Sequence, residues 1–249
     1  MSNLFVLNFH GIGDASRPYE RGEQPYWLSR QELTDVLDLV LDLEGTPGVG
    51  LTVDDGNSSD YAVLAPELHK RGLTATFFVL AGKLDRPGYL KRSEVRELAL
   101  DGFEIGSHGM RHIDWARCDD ASLECELGRS KEILESVTGK PVTAAAVPFG
   151  SYDRRVLSSL ARADYRKIFS SDGGPRLTGG WPTPRQTLQT GVDVRALADQ
   201  IGSRALRDRA RSELRVLAKS WLPTKALRSL RASRQGSVVR DDQSICGSD

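Results

Sequence analysis

The sequence has no long hydrophobic run, few cysteines and no net charge. No stretch approaches the roughly 18 consecutive apolar residues that span a bilayer, so no transmembrane helix is predicted. The first residues lack a basic segment, a long apolar segment and a small-residue cleavage site, which argues against a secretory signal. Cys118, Cys125 and Cys246 show no metal-ligand spacing, and we expect three reduced thiols in a cytoplasmic protein.

The formal charge of zero conceals an uneven distribution along the chain. Residues 203–249 hold 11 of the 34 basic residues and only 5 of the 34 acidic ones. The larger part of the chain is therefore acidic and the C-terminal part is basic. We expect a globular domain over residues 1–200 and a basic extension over residues 201–249.

Apolar runs alternate with helical patterns along the first 170 residues. The predicted strands are Leu4–Phe9, Val49–Val53, Ala75–Leu80, Phe103–Gly106, Thr143–Val147 and Tyr165–Phe169. The predicted helices are Ser29–Leu43, Tyr61–Arg71, Ser93–Asp101, Asp120–Gly139 and Arg154–Arg162. This alternation predicts an α/β fold with parallel strands, either a barrel or an open doubly wound sheet. In both architectures functional groups gather at the carboxyl ends of the strands.

Two of the four histidines, His108 and His112, lie four residues apart in the segment SHGMRH. If this segment forms a helical turn, both imidazoles face the same way and can bind one metal ion. An incidental pairing is the alternative interpretation. A metal site with two histidines also needs a carboxylate and a coordination position that is open to water.

Asp54 and Asp55 follow a buried strand in the segment LTVDDG. Adjacent buried carboxylates repel each other unless they are paired or bound to a metal. Their side chains point in different directions, so one can bind a metal while the other acts as a base. A solvated turn, in which one aspartate caps the next helix, is the alternative.

The segments LTVDDG, SHGMRH and VPFGSYD resemble those of the polysaccharide deacetylases of the NodB-homology type, carbohydrate esterase family 4. The resemblance covers about residues 4–190. It implies a distorted (β/α) barrel, a divalent metal and the removal of acetyl groups from sugars. Residues 1–200 would then be the deacetylase domain, and residues 201–249 a basic, partly helical extension with a disordered tail.

The resemblance also implies roles for single residues. Asp54 would be the general base, and Asp55, His108 and His112 would bind the metal. Zinc (Zn2+) is the usual ion, with Co2+, Ni2+, Fe2+ or Mn2+ as alternatives. Phe149 matches the position whose backbone N–H helps to form the oxyanion hole.

The sequence departs from the family pattern in two places. Ala146 stands where the family commonly has an arginine that orients the base. Arg185, in WPTPRQTL, is a candidate replacement, although a surface or structural arginine is the slightly favoured interpretation. No histidine follows His112, although most members take their general acid from a late Leu-x-His motif.

Some members of the family are circularly permuted and resemble the deacetylases of poly-N-acetylglucosamine. These members carry the histidine that acts as general acid on an early strand. His10 in LNFHGIG fits this arrangement, and a hydrogen-bonded histidine at a strand end is the alternative. Trp115 and Trp181 are candidates for stacking on sugar rings, or they pack in the core. His69 is interpreted as a cation at a helix C-terminus.

These features predict a metal-dependent hydrolase that removes N-acetyl groups from an N-acetylated glycan. A catalytically impaired carbohydrate-binding protein and an O-acetyl esterase are the alternatives.

The basic extension has apolar residues at roughly helical spacing, namely Leu206, Ala210, Leu214, Leu217 and Trp221. A solvated helix packed on the acidic domain is the favoured interpretation. A basic amphipathic helix can also lie on an anionic membrane, which would allow a membrane-peripheral location and a lipid-linked sugar substrate. No recognition motif accompanies the charge, so no nucleic-acid partner is predicted.

Overall fold

The computed structural model describes residues 5–43, 48–174, 181–202, 214 and 216–220. Eight strands are present in this part of the chain. They are β1 Phe5–Phe9, β2 Val49–Asp55, β3 Thr76–Val79, β4 Glu104–Ser107, β5 Ala144–Ala146, β6 Lys167–Ser170, β7 Thr183–Pro184 and β8 Gln186–Thr187. All neighbouring pairs are parallel, in the order β7-β6-β5-β4-β3-β2-β1-β8.

The two ends of this sheet are joined by a single residue. β7 pairs with β6, β8 pairs with β1, and only Arg185 lies between β7 and β8. The sheet therefore curls into a nearly closed barrel, which confirms the barrel prediction over the open doubly wound sheet. The barrel also brings the carboxyl ends of distant strands to one rim.

Seven α-helices are described, and they account for all five predicted helical segments. They are α1 Arg30–Asp42, α2 Ala65–Lys70, α3 Arg92–Leu100, α4 Asp120–Glu124, α5 Ser130–Thr138, α6 Arg154–Arg162 and α7 Val194–Gly202. Ser29 and Glu32 form the capping box that opens α1, because each side chain bonds the backbone N–H of the other residue.

The predicted helix Asp120–Gly139 is divided in the structure. A π-helical turn, Cys125–Arg129, separates α4 from α5, and Gly139 closes α5 in a left-handed conformation with φ of 65°. Cys118 is a free thiol, but Cys125 is disulfide-bonded. The expectation of three reduced cysteines is therefore wrong for Cys125, because sequence spacing does not report which sulfurs come within bonding distance.

Most of the basic extension lies outside the described residues. Of the predicted apolar helix face, only Leu214 and Leu217 are described, and both are exposed. Val216 is instead the residue that is buried. The boundary near residue 200 and the disordered tail stay predictions. In the part of the chain that the structure describes, no helix has the length and apolar character needed to cross a membrane.

Candidate active site

The predicted site residues converge at the rim formed by the carboxyl ends of the strands. His10 directly follows β1, Asp54 and Asp55 end β2, and His108 directly follows β4. Parallel strands end at the same edge, so residues from distant parts of the sequence come together.

Asp55, His108 and His112 form a cluster that could hold a metal ion. Their ligand atoms all lie within 4.8 Å of one another. The Oδ1 atom of Asp55 is 3.5 Å from Nε2 of His108 and 3.7 Å from Nε2 of His112. This Oδ1 atom is buried and has no hydrogen-bond partner. A buried carboxylate oxygen without a donor is costly, and a bound cation would satisfy it, so this donor set fits a divalent metal.

The Nδ1 atom of each histidine faces an oxygen atom that lies outside the cluster. Nδ1 of His108 lies 2.9 Å from the carbonyl oxygen of Ala146, and Nδ1 of His112 lies 3.9 Å from Oε2 of Glu20. Such outer partners orient a ligating imidazole so that Nε2 faces the metal. Ala146 thus contributes its backbone to the site, where the family resemblance suggests an arginine side chain.

Sequence reasoning missed Glu20, which lies on the long loop after β1. Lys83 forms a close ion pair with Glu20, and the hydroxyl of Tyr89 donates to Oε1 of Glu20 at 3.0 Å. The neighbouring His112 and Lys83 outweigh burial and hold the pKa of Glu20 well below its usual value. No local pattern marks this glutamate, because its partners come from other loops.

The segment that carries both histidines is a loop, so the helical turn considered from the sequence as one way to align the two imidazoles does not form. Gly109 has φ of 87° and His112 has φ of 63°, which no right-handed helix allows. The buried carboxylate of Glu126 holds this loop by accepting bonds from the N–H groups of Met110 (2.8 Å) and Arg111 (3.3 Å). The two imidazoles therefore converge through loop geometry, which Glu126 maintains.

Backbone strain is concentrated at the site. Five non-glycine residues in the described part have positive φ, and three of them are Asp55 (79°), His112 (63°) and Phe149 (57°). Such conformations persist where the surrounding structure imposes them, and they cluster at functional positions.

Asp54 is clamped by Arg185, the residue at the barrel closure. Nη1 of Arg185 donates to Oδ1 of Asp54 at 2.6 Å and Nη2 donates to Oδ2 at 2.7 Å. Asn8 donates to Oδ2 at 3.0 Å. Arg185 is fully buried, so the interpretation as a surface arginine is wrong. Burial opposes ionisation of Asp54, but Arg185 and the neighbouring His108 and His10 together outweigh burial and keep the pKa of this carboxyl below its ordinary value.

Asp60 is a second acidic residue that the sequence reasoning missed. It is buried, and its Oδ1 atom has no hydrogen-bond partner. Burial, together with the charges of Asp55 and Asp54, raises the pKa of Asp60 well above its ordinary value. Burial and like charge therefore both act against the ionised form of Asp60.

His10 and Phe149 lie beside the carboxylate cluster. The imidazole of His10 is among the groups that lower the pKa values of Asp54 and Asp55, and its buried Nδ1 atom has no hydrogen-bond partner. The ring of Phe149 packs on His112, with 4.4 Å between centroids, and is 60% exposed. Both residues are therefore placed where a substrate at the cluster would meet them.

Neither tryptophan is placed to stack on a sugar. Trp115 is fully buried in the core. Trp181 donates to the carbonyl oxygen of Arg166, directly before β6, so it lies at the amino ends of the strands, opposite the site. The sugar-stacking interpretation is wrong for both residues, because nearness in sequence to a motif does not place a side chain on the same rim.

Comparison with known proteins agrees with this geometry. A family model described as polysaccharide deacetylase matches residues 44–168, which is half of the chain. This chain belongs to the polysaccharide deacetylase family. The matched region contains Asp54, Asp55, His108, His112 and Phe149, whereas His10 and Arg185 lie outside it.

Two curated relatives and one solved structure illustrate the similarity. A chitin deacetylase from Pestalotiopsis sp is 33% identical over 47% of this chain and 39% of its own length. A chitooligosaccharide deacetylase from Bradyrhizobium sp. (strain ANU 289) is 28% identical over 61% of this chain and 64% of its own length. The chain thus spans less than two thirds of either relative.

The crystal structure of a polysaccharide deacetylase from Bacillus cereus is 25% identical, with a TM-score of 0.71 over 80% of this chain and 69% of that one.

Proposed function

We propose that this protein is a metal-dependent hydrolase that removes N-acetyl groups from an N-acetylated glycan. The observation that carries the proposal is the unpartnered Oδ1 of Asp55 facing two imidazole nitrogens, next to an aspartate clamped by arginine. The named activities of the relatives, which act on chitin and chitooligosaccharides, support this choice of substrate class.

Asp55, His108 and His112 would hold the divalent ion, for which we propose Zn2+. Two imidazoles and one carboxylate are the ligand set of many hydrolytic zinc sites. When bound, such an ion supplies Lewis acidity towards the acetyl oxygen and acidifies a water molecule. Co2+, Ni2+, Fe2+ and Mn2+ are alternatives with similar ligand preferences.

Asp54 serves as the general base. Because Arg185 keeps this carboxylate ionised, Asp54 can accept a proton from the water that adds to the acetyl carbon. The bidentate clamp also fixes the direction of the carboxylate. Arg185 contacts Asp54 from the point where the barrel closes. This contact supports Arg185 as the replacement for the arginine that commonly orients the base in this family, at the position where this chain has Ala146.

Phe149 and His10 complete the reaction. The backbone N–H of Phe149 donates to the oxyanion that forms as water adds to the carbonyl group. His10 gives a proton to the sugar nitrogen as the C–N bond breaks, which yields acetate and a free amine. The burial of His10 Nδ1 without a protein partner supports a role towards a ligand.

The decisive experiment measures acetate release from N-acetylglucosamine oligomers by the zinc- or cobalt-loaded protein. We expect metal-dependent release, and Asp54→Asn should lower kcat by roughly 100- to 10,000-fold because the base is lost. Asp101→Asn, at an exposed residue, is the matched control and should keep full activity.

Three other outcomes have different meanings. Faster release from O-acetyl sugars than from N-acetyl sugars would favour the esterase alternative. Stoichiometric metal binding without turnover on either substrate would favour the carbohydrate-binding alternative. Failure to bind metal would contradict the proposal.

A lipid-linked substrate and a membrane-peripheral or cytoplasmic location rest on the sequence alone, chiefly on the basic charge of residues 203–249. Vesicle co-sedimentation tests the membrane contact. The full chain should bind anionic but not neutral vesicles, and truncation near residue 200 should abolish binding. The absence of binding to anionic vesicles would refute the membrane proposal.

A further inference from the structure

One described part of the basic extension is anchored to the barrel next to the active site. Residues 216–220 form a helical turn in which Val216 is only 2% exposed. The side chain of Lys219 is also mostly buried, at 22% exposure. The extension therefore contacts the deacetylase domain at this point.

Lys219 reaches the loop that carries Phe149. Its Nζ donates to the carbonyl oxygen of Gly150 at 2.9 Å and forms a close ion pair with Asp172. The ammonium group also lies 4.9 Å from the ring centroid of Tyr152. Gly150 directly follows Phe149, so the lysine holds the chain one residue from the proposed oxyanion donor.

The acceptor of this ion pair is itself buried and tightly held. Asp172 is 4% exposed and accepts hydrogen bonds from Tyr152 and Ser170, both at 2.7 Å. The carbonyl oxygen of Ser170 accepts from the backbone N–H of Arg185 at 2.9 Å. Asp172 and Ser170 thus connect the Phe149 loop with Arg185, the residue that clamps Asp54.

The loop needs such support because its backbone is strained. Phe149 and Gly150 both have φ of 57°, and a non-glycine residue adopts this region only where its surroundings impose it. Two local hydrogen bonds, Gly150 N–H to Val147 and Ser151 N–H to Pro148, close the turn from within. Lys219 adds a hydrogen bond to the carbonyl oxygen of Gly150 from outside this turn.

We propose that Lys219 is a positioning residue for the Phe149 loop, so that the C-terminal extension is part of the catalytic architecture. The catalytic part of this inference rests on the proposed deacetylase function. Lys219 does not touch the reacting atoms. It fixes the Gly150 carbonyl and Asp172, and through them the direction of the Phe149 N–H.

The test compares Lys219→Met and Lys219→Arg in the full chain. Amide hydrogen exchange at Gly150 and Ser151 should be faster in Lys219→Met, while exchange in β1 to β4 stays unchanged. We expect kcat to fall about tenfold, a fraction of the loss known for removal of a whole oxyanion donor, while KM and zinc affinity stay within about twofold. Lys219→Arg should recover most of the rate, since it keeps the charge and a donor.

Lys131→Met is the matched control. Lys131 also donates to a backbone carbonyl, that of Ala163 at 2.8 Å, and lies over a tyrosine ring, that of Tyr165 at 5.1 Å. Neither partner belongs to the site, so loop exchange and kcat should be those of the wild type. If Lys219→Met does not fold, Lys219→Met combined with Asp172→Asn removes both charges and should give the same loop exchange.

The outcomes separate this inference from the proposed function. Unchanged exchange at Gly150 and Ser151 overturns the inference, whatever the activity. Faster exchange with unchanged kcat in an active protein overturns the catalytic part. If the wild type releases no acetate, the proposed function fails, and faster exchange still supports Lys219 as the residue that positions the loop.

Discussion

The guanidinium of Arg185 donates to both oxygens of Asp54 in a place from which water is excluded. A bidentate pair fixes both the charge and the direction of a carboxylate, whereas a lysine offers only a point charge. The rings of Phe78 and Phe169 lie 5.3 and 6.0 Å from the guanidinium carbon, so little space is left for rearrangement.

At the residue scale we therefore predict that Arg185→Lys lowers kcat by about 10- to 100-fold, because Asp54 loses its fixed orientation. Arg185→Met should also lower the free energy of unfolding by about 3–5 kcal/mol, since it leaves the buried charge of Asp54 without its cationic partner. Steady-state kinetics and urea unfolding measure the two effects. Arg166→Met, at an exposed arginine, should change neither, and wild-type kinetics in Arg185→Lys would contradict the proposed role.

At the scale of elements, the loop between His108 and His112 depends on α4 and α5. Glu126 sits in the π turn between these helices and bonds Met110 and Arg111, which lie between the two histidines. It also accepts from Nε of Arg111 at 2.9 Å. A π turn shifts the following side chains relative to a regular helix. The carboxylate of Glu126 lies within hydrogen-bonding distance of the backbone of this loop.

We predict that Glu126→Gln weakens zinc binding by about tenfold, because the neutral amide holds the loop less firmly while the three proposed metal ligands stay unchanged. Competition with a chromophoric chelator measures this affinity. Glu132→Gln, at an exposed glutamate of α5 that pairs with Arg129, is the matched control. Equal zinc affinity in both variants would show that Glu126 does not position the loop.

At the scale of the whole molecule, a metal bound at the proposed site would link segments that follow different strands. Asp55 ends β2, whereas His108 and His112 follow β4. A ligand that binds only the folded state stabilises it by mass action.

Zinc at about 100 times its dissociation constant should add about 2.7 kcal/mol to the free energy of unfolding. For a chain of this size, this corresponds to a rise in Tm of roughly 5–10 °C. Differential scanning fluorimetry with and without zinc measures the shift. Asp55→Ala should abolish it, and His69→Ala, at an exposed histidine away from the cluster, should keep it. An equal shift in Asp55→Ala would place the metal elsewhere.

Much of the fold and part of the site could be predicted from the sequence. Alternating apolar and helical patterns are local properties, so six strands and five helical segments were predicted without the structure, whereas α7 was missed. Asp54, Asp55 and His108 lie at strand ends, with His112 in the loop that follows His108, and parallel strands bring such ends to one rim. The cluster of Asp55, His108 and His112 was therefore predictable as a set of residues, whereas the loop geometry that brings its two imidazoles together was not.

The tertiary structure decided the rest. β7 and β8 have two residues each, too few to show any periodicity, yet they close the barrel. Closure brings Arg185 to Asp54 across 131 residues, and folding of separate loops brings Glu20 to His112 and Lys219 to Gly150. Such contacts depend on the relative placement of distant segments, which no local pattern records. The residue types therefore indicate which groups could do the chemistry, whereas the packing of the barrel places the neighbours that orient them.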